Sequence, residues 1–301
     1  MLAMRSDFQL LDGKLVARKL RDAFASRIDR LRELGIVPGL AVILVGDDPA
    51  SRVYVRNKER AFQKLGLVSD VYHLDSNASQ ERILELIEEL NENQKYHGIL
   101  VQLPLPSHLN EFEIIERISP DKDADGIHPC NIGLMATGQD CPLPCTPHGI
   151  LKILEHYGLE VEGRHVVIVG RSNIVGKPLA LLLMQKRSPG NATVTICHSR
   201  TKNLKEITLS ADILVVAIGK PEYIDESYVK NGAVVIDVGT NRIEDSSVQN
   251  GYRLVGDVKF SSVKEKVRAI TPVPGGVGPM TITMLIYNTI YLAEKTAALP
   301  K

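Results

Sequence analysis

Tyr54 and Lys58 are the first side chains in the sequence that could do chemistry together. They lie four residues apart in a stretch of helical periodicity and so share one face of the predicted helix. A lysine partly removed from water has a lowered pKa, and it can transfer a proton or polarise a carbonyl or iminium carbon. The same spacing also occurs by chance in exposed helices, so the pair alone does not establish a catalytic site.

Gln102 and two aspartates offer further polar groups. Gln102 ends an apolar stretch that runs into two prolines, and the carboxyl ends of strands in an α/β sheet are where ligands bind. A single glutamine there often makes only a local hydrogen bond. Asp123 and Asp125 occupy a later loop, where they could hold a metal or grip the amino-pyrimidine edge of a ligand. The further acids of a calcium loop are missing from the sequence, and we expect no bound metal.

Two glycine-rich segments predict close contact between backbone and ligand. The loop that begins with Pro274-Gly275-Gly276 must be tightly shaped, either to border a ligand or to serve as an inter-domain hinge. The segment from Gly170 to Gly176 directly follows an apolar run and precedes Pro178, which suits the start of a helix. A strand, a glycine turn and a helix start together predict an anion site, although the Gly-x5-Gly spacing alone is a weak signal.

The strand after the glycine turn indicates which nucleotide would bind. NAD-binding folds usually place an acid about 20 residues or more beyond the turn, where it holds the ribose 2′-hydroxyl. Here the next apolar run ends in His198-Ser199-Arg200-Thr201, which contains no acid. The hydroxyls and the guanidinium of this segment suit a 2′-phosphate, and Arg171 in the glycine turn adds a second cation, so we predict NADP. An ordinary connection with surface arginines is the alternative.

Composition restricts the class of protein. The chain has 301 residues, 44% apolar and 24% charged, with 36 basic and 36 acidic residues. It is long enough for two soluble domains, and its balanced charge favours neither nucleic acid nor a membrane as partner. Asp7 and Asp12 near the start and the lack of an apolar signal core predict a cytoplasmic protein. Cys130, Cys141, Cys145 and His148 could be drawn as a zinc site, but the zinc-type C-x2-C pair is missing, so we expect ordinary thiols.

Apolar periodicity predicts two successive α/β units. In the first, Ser51 caps a helix that runs to Leu65, and a Pro/Gly/Cys-rich crossing over 129–147 leads to the second. The other predicted helices cover 14–34, a stretch from Ser79, 146–157 and a closing segment to about Lys295; the predicted strands cover 40–45, 71–74, 98–103, 165–169, 192–197, 212–218 and 233–238.

The order of these motifs resembles the bifunctional methylenetetrahydrofolate dehydrogenase/cyclohydrolase family. The resemblance rests on Tyr54-Val-Arg-Asn-Lys58, Val101-Gln-Leu-Pro-Leu-Pro106, Asp121-Lys-Asp-Ala-Asp125-Gly126, Pro144-Cys-Thr-Pro147, Gly170-Arg-Ser-Asn-Ile-Val-Gly176-Lys-Pro178 and the segment 271–281. It implies two α/β domains that flank a cleft, the second a Rossmann-type parallel-sheet NADP domain. The folate domain would cover 1–145 with the closing helix 279–301, and the NADP domain 146–278.

The resemblance also implies the reaction and the site. The enzyme would oxidise 5,10-methylenetetrahydrofolate with NADP and hydrolyse the methenyl product to 10-formyltetrahydrofolate, as a homodimer in one-carbon metabolism and purine biosynthesis. Lys58, Gln102, Tyr54 and Asp125 would be catalytic. Further folate contacts would be Val101, Leu103, Pro274, Gly275 and Gly276, and NADP contacts would be Gly170, Arg171, Ser172, Ile174, Val175, Ser199 and Thr240, the last at a position where the family often has Ile.

Other functions remain open at this point. A short-chain dehydrogenase also uses Tyr-x-x-x-Lys, but there the pair follows the nucleotide turn, whereas Tyr54 precedes Gly170 by a whole domain. A two-domain dehydrogenase of another small substrate, such as a shikimate-type enzyme, would share the architecture. A non-catalytic NADP- or folate-binding protein would keep many of the same residues and would bind ligands without producing NADPH.

Overall fold

The computed structural model describes residues 8–247 and 251–298, which leaves Asp7 and both chain ends outside the described residues. The strands are β1 (Gln9–Leu10), β2 (Gly39–Val45), β3 (Val68–Leu74), β4 (Gly98–Val101), β5 (His165–Val169), β6 (Thr193–Cys197), β7 (Ile213–Val216), β8 (Val234–Asp237), β9 (Asn241–Glu244), β10 (Tyr252–Val255) and β11 (Ala269–Ile270). The helices are α1 (Gly13–Ala23), α2 (Ala25–Glu33), α3 (Pro49–Lys64), α4 (Gln80–Glu92), α5 (Glu111–Arg117), α6 (Pro129–Ala136), α7 (Cys145–His156), α8 (Gly176–Leu183), α9 (Leu204–Leu209), α10 (Phe260–Val263) and α11 (Val277–Thr296).

The chain divides into two compact units, each built from separate segments. The first unit combines Leu20–Cys145 with the chain from Ile282 onward. The second unit combines the segment through Lys19 with Thr146–Thr281. The segment through Lys19 therefore lies in the second unit, whereas the sequence prediction assigned it to the folate domain.

The first unit is built on a parallel sheet with the strand order β3-β2-β4. Every residue of β2 and β4 is buried, because these strands are apolar along their whole length. Helix α4 presents Ile83, Leu86, Ile87 and Leu90 at helical spacing, and these side chains join the core above the sheet. The sheet edge at the carboxyl end of β4 is thus a rigid platform for the residues that follow it.

Two local predictions for the first unit were wrong. Asp48, not Ser51, caps α3, since its carboxylate accepts a hydrogen bond from the Ser51 N–H at 2.7 Å. The single helix predicted over 14–34 is two helices that meet at Phe24. The proline-rich segment predicted as the crossing does contain the boundary between the units, after Cys145, and part of it also forms α6, which the His128 ring caps through the Cys130 N–H.

The second unit contains a six-stranded sheet in the order β1-β11-β8-β7-β5-β6, with parallel pairing throughout. Strands β6 and β7 flank β5 on opposite sides, so the direction of winding reverses there. This reversal is the topological switch point at which α/β sheets bind ligands. The predicted fold class, two α/β domains of which the second is Rossmann-type, is confirmed.

The sequence did not predict β1, β11 or the antiparallel hairpin of β9 and β10. Across the described ranges, no helix is long and apolar enough to span a membrane.

Candidate functional site

Lys58 and Gln102 meet in the first unit. Lys58 lies on the buried face of α3 with 8% of its surface exposed, and its Nζ donates a hydrogen bond to Gln102 Oε1 at 2.9 Å. Gln102 is fixed from both sides, since its N–H donates to the Ile43 carbonyl and its Nε2 donates to the Leu103 carbonyl. Burial lowers the pKa of Lys58, because a charged ammonium is poorly solvated there.

The Asp125 carboxyl interacts electrostatically with this lysine. Burial raises the pKa of Asp125, while the charge of Lys58 and a hydrogen bond from the Cys145 thiol act in the opposite direction. Burial and the Asp125 charge in turn raise the pKa of Cys145 well above its ordinary value, so the thiol stays neutral and remains a donor. An amine, a carboxylate and a neutral thiol are thus grouped beside Gln102.

Asp123, the other predicted aspartate of the pair, has a structural role. Its Oδ1 accepts from the N–H groups of Gly126 and Ile127, and its Oδ2 accepts from the His128 N–H and from Asn131 Nδ2. With these four donors at 2.8 to 3.3 Å and 1% exposure, Asp123 shapes the loop. Of the two aspartates, Asp125 is therefore the one that interacts with Lys58.

The Asp125 loop is held in place by the closing helix. Asn288 on α11 donates from Nδ2 to the carbonyls of Ala124 and Leu143, both at 2.9 Å. Gly126 has φ +72°, and a Cβ there would lie 2.3 Å from the Leu143 backbone, so only glycine allows this close approach. Asn288 was not predicted as a site residue; the signal for it is the only side-chain amide in α11.

The remaining predicted folate contacts differ in their surroundings. Tyr54 lies one helical turn before Lys58 and is 37% exposed, which leaves ring surface accessible. Val101 is buried at the end of β4, and Leu103 is half-buried next to Gln102. These residues and Lys58 belong to the first unit.

Pro274, Gly275 and Gly276 belong to the second unit. The Gly275 carbonyl accepts from the Lys14 N–H, and a Cβ on Gly13 would lie 1.8 Å from the Gly276 carbonyl oxygen. Gly275 also has φ +116°, which L side chains rarely adopt. The loop is therefore tightly packed against the start of α1, as its glycine content predicted.

The glycine turn after β5 has the close packing that a phosphate cradle requires. A Cβ on Gly170 would lie 2.2 Å from the Ala217 carbonyl oxygen, and a Cβ on Gly176 would lie 2.2 Å from the Gly170 carbonyl oxygen. Ser172 Oγ accepts from the N–H groups of Val175 and Gly176 at the start of α8. This turn lies at the switch point of the sheet, and its geometry fits a dinucleotide phosphate.

The other predicted NADP contacts follow the carboxyl ends of strands β5, β6 and β8. Arg171 and Ser199 are exposed, Ile174 is 39% exposed and Val175 is buried. Ser199 sits in a tight turn in which His198 N–H donates to Thr201 Oγ1 at 2.8 Å. Thr240 is exposed in the short link between β8 and β9. An exposed hydroxyl and guanidinium at this edge suit a 2′-phosphate in their chemistry.

The cysteines that could have been drawn as a zinc site have other partners. The Cys141 and Cys145 thiols donate to the Asn131 and Ala124 carbonyls, both at 3.4 Å. Within residues 8–247 and 251–298, no group of three or more His, Cys, Asp or Glu side chains is placed to hold a metal ion.

Comparison with known proteins identifies the family. Residues 11–125 match the catalytic domain of tetrahydrofolate dehydrogenase/cyclohydrolase, and residues 144–297 match its NAD(P)-binding domain. The bifunctional protein FolD of Bacillus pumilus is 53% identical over 96% of this chain and 99% of its own.

Solved structures agree with this match. The bifunctional FolD dehydrogenase/cyclohydrolase of Campylobacter jejuni is 46% identical with a TM-score of 0.89, over 96% of this chain and 99% of its own. The Trypanosoma brucei enzyme, solved with NADP cofactor and inhibitor, is 37% identical with a TM-score of 0.91, over 97% and 99%. The predicted activities and NADP as coenzyme are confirmed by these findings, and the chain belongs to the tetrahydrofolate dehydrogenase/cyclohydrolase family.

Proposed function

We propose that Lys58 is the proton-transfer group for hydrolysis of 5,10-methenyltetrahydrofolate. The observation that carries this proposal is the buried contact of Lys58 Nζ with Gln102 Oε1 at 2.9 Å. As a neutral amine, Lys58 gives one N–H to Gln102 and keeps its lone pair free. It accepts a proton from the water that attacks the methenyl carbon, and returns it to the folate nitrogen as the C–N bond breaks.

Asp125 and Tyr54 would bind the pterin in this proposal. The Asp125 carboxylate would accept hydrogen bonds from the pterin amino and ring N–H groups, a charge-assisted pairing that fixes the orientation of the ring. The exposed ring of Tyr54 would stack on it or position it. Val101, Leu103 and the Pro274-Gly275-Gly276 loop would border the folate.

The glycine turn of the second unit would hold the coenzyme. Gly170, Arg171, Ser172, Ile174 and Val175 would contact NADP at the turn. Ser199 would contact the 2′-phosphate, and Thr240 would lie on the nicotinamide side. When bound, NADP supplies the hydride acceptor for the oxidation step. Support comes from Gly170 and Gly176, at which any side chain would collide with the Ala217 carbonyl and the Gly170 carbonyl respectively.

Replacing both Arg171 and Ser199 with Ala tests this assignment. We expect the KM for NADP to rise roughly 10- to 100-fold, since charge-assisted hydrogen bonds contribute about 1.5–3 kcal/mol, while the KM for NAD changes little. The measurement is the absorbance of reduced coenzyme with 5,10-methylenetetrahydrofolate and either nucleotide. Arg164→Ala, at the amino end of β5, is the matched control. An equal rise in KM for NADP and NAD would show that neither residue binds the 2′-phosphate.

The remaining proposals concern assembly and location. We propose a homodimer, which the exposed Ile196 on the edge strand β6 supports. Sedimentation equilibrium should give twice the mass of the chain, and a monomer mass at micromolar concentration would contradict the dimer. The cytoplasmic location stays a prediction, which cell fractionation can test. The assignment of folate binding to one predicted domain and NADP binding to the other also stays a prediction.

A further inference from the structure

Asp257, which the sequence analysis did not single out, organises the second unit at the carboxyl ends of its strands. Its side chain is fully buried, and its Oδ2 accepts from the N–H groups of Ile218 and Gly219 at 2.6 and 3.0 Å. Its Oδ1 accepts from the Lys220 N–H and from Asn241 Nδ2, both at 2.8 Å. One carboxylate thus binds three consecutive backbone amides and the first residue of β9.

Asp237, the last residue of β8, holds Asp257 in turn. Its Oδ1 accepts from the N–H groups of Asp257 and Gly239, and its Oδ2 accepts from the Val258 N–H, at 2.9 to 3.0 Å. Burial raises the pKa of Asp237 to about 7, and these amides act against that rise. The two aspartates therefore form a connected network, in which each carboxylate satisfies backbone groups beside the other.

Two glycines make room for this network. A Cβ on Gly256 would lie 1.7 Å from Asp237 Oδ2, and a Cβ on Gly239 would lie 2.3 Å from Asp257 Oδ1. Neither position can carry a side chain without displacing a carboxylate. The pattern Asp237-x-Gly239 with Gly256-Asp257 is therefore one packing unit.

The network fixes two segments that border the proposed coenzyme site. The turn Ile218–Lys220 directly follows Ala217, whose carbonyl packs against Gly170 of the glycine turn. Thr240 lies between Gly239, bound to Asp237, and Asn241, bound to Asp257. Both neighbours of Thr240 are therefore held by buried carboxylates.

We propose that Asp257 is a positioning residue for NADP, which sets the turn Ile218–Lys220 and Thr240 in the conformation that the coenzyme binds. The proposal rests on the assignment of NADP to the Gly170 turn. Asp257 acts through these segments and contacts no substrate.

The test is Asp257→Asn, which keeps the size of the side chain but turns an NH2 group toward backbone N–H donors. We expect calorimetry to show about tenfold or weaker NADP binding, as for loss of a hydrogen bond to a charged group. Hydrogen exchange at the amides of Ile218, Gly219 and Lys220 should become faster. Hydrolysis of methenyltetrahydrofolate, which we assign to Lys58 in the other unit, should stay within about twofold of wild type.

Asp212→Asn is the matched control, because the Asp212 carboxylate accepts the His165 N–H at the amino edge of the same sheet. The Asp212→Asn variant should leave NADP affinity unchanged.

Faster hydrogen exchange at residues 218–220 with unchanged NADP affinity in Asp257→Asn would overturn the proposal. If Asp257→Asn does not fold, Asn241→Ala removes only one hydrogen bond and should weaken NADP binding several-fold; unchanged binding would also overturn it. Failure of the coenzyme assignment is distinguishable, since Arg171→Ala with Ser199→Ala would then leave NADP binding unaltered.

Discussion

Lys58→Met is expected to reduce hydrolysis of methenyltetrahydrofolate by roughly 10²- to 10⁴-fold, which brings it close to the spontaneous rate, because a positioned general acid-base contributes about that much. Met has a similar length and no charge, so it should fill the space of the buried side chain without unfolding α3. NADP affinity should stay largely intact, since the glycine turn lies in the other unit. The measurement pairs the rate of loss of methenyl absorbance with calorimetric binding of NADP.

Two further variants sharpen this test. Lys58→Arg keeps a positive charge but has a pKa too high to give up a proton, so it should not restore hydrolysis. Lys64→Met, at an exposed position of the same helix, should hydrolyse like wild type. Hydrolysis well above the spontaneous rate in Lys58→Met would remove Lys58 from the proton-transfer role.

Asp125→Ala should lower kcat/KM for the folate by roughly 10²- to 10⁴-fold or abolish activity. Loss of two charge-assisted hydrogen bonds leaves polar groups of the pterin without partners, at about 1.5–3 kcal/mol each. The charge of Asp125 also raises the pKa of Lys58. Its removal should therefore lower that pKa further, and any limb of the pH-rate profile that reports Lys58 should move to lower pH.

The neighbouring acids provide controls for this variant. Asp121→Ala removes an exposed carboxylate of the same segment and should leave both kinetics and the pH profile unchanged. Asp125→Asn keeps an acceptor oxygen and should fall between wild type and Asp125→Ala. A folate KM and pH profile in Asp125→Ala that equal those of wild type would exclude Asp125 from the site.

The long apolar strands and the amphipathic helices were predictable from the sequence. Strands β2, β5 and β7 are continuous apolar runs, and these signal burial on both faces. Strand β1 has only Gln9 and Leu10, too few residues for a period, and its pairing with β11 depends on a partner far along the chain. The break at Phe24 was also hidden, because the apolar spacing continues across it.

The site could be predicted only in part. The types and order of Lys58, Gln102 and Asp125 indicated chemistry, but the sequence did not separate Asp125 from Asp123. The difference lies in the backbone: the loop turns its N–H groups toward Asp123, and such a turn is set by the folded chain. The roles of Asn288 and Asp257 depend in the same way on carbonyl and amide groups that a residue pattern does not reveal.

The two-part construction of each unit has a consequence for synthesis on the ribosome. Strand β1 gains its partner only when Ala269 and Ile270 have been made, and the Asp125 loop gains its anchor only with Asn288. Many multidomain chains fold one domain at a time from the amino terminus while translation continues. Here the second unit is complete only after Thr281, and the first unit only when the rest of α11 has been made. A nascent chain that stalls before Ala269 would therefore expose two unfinished cores at once.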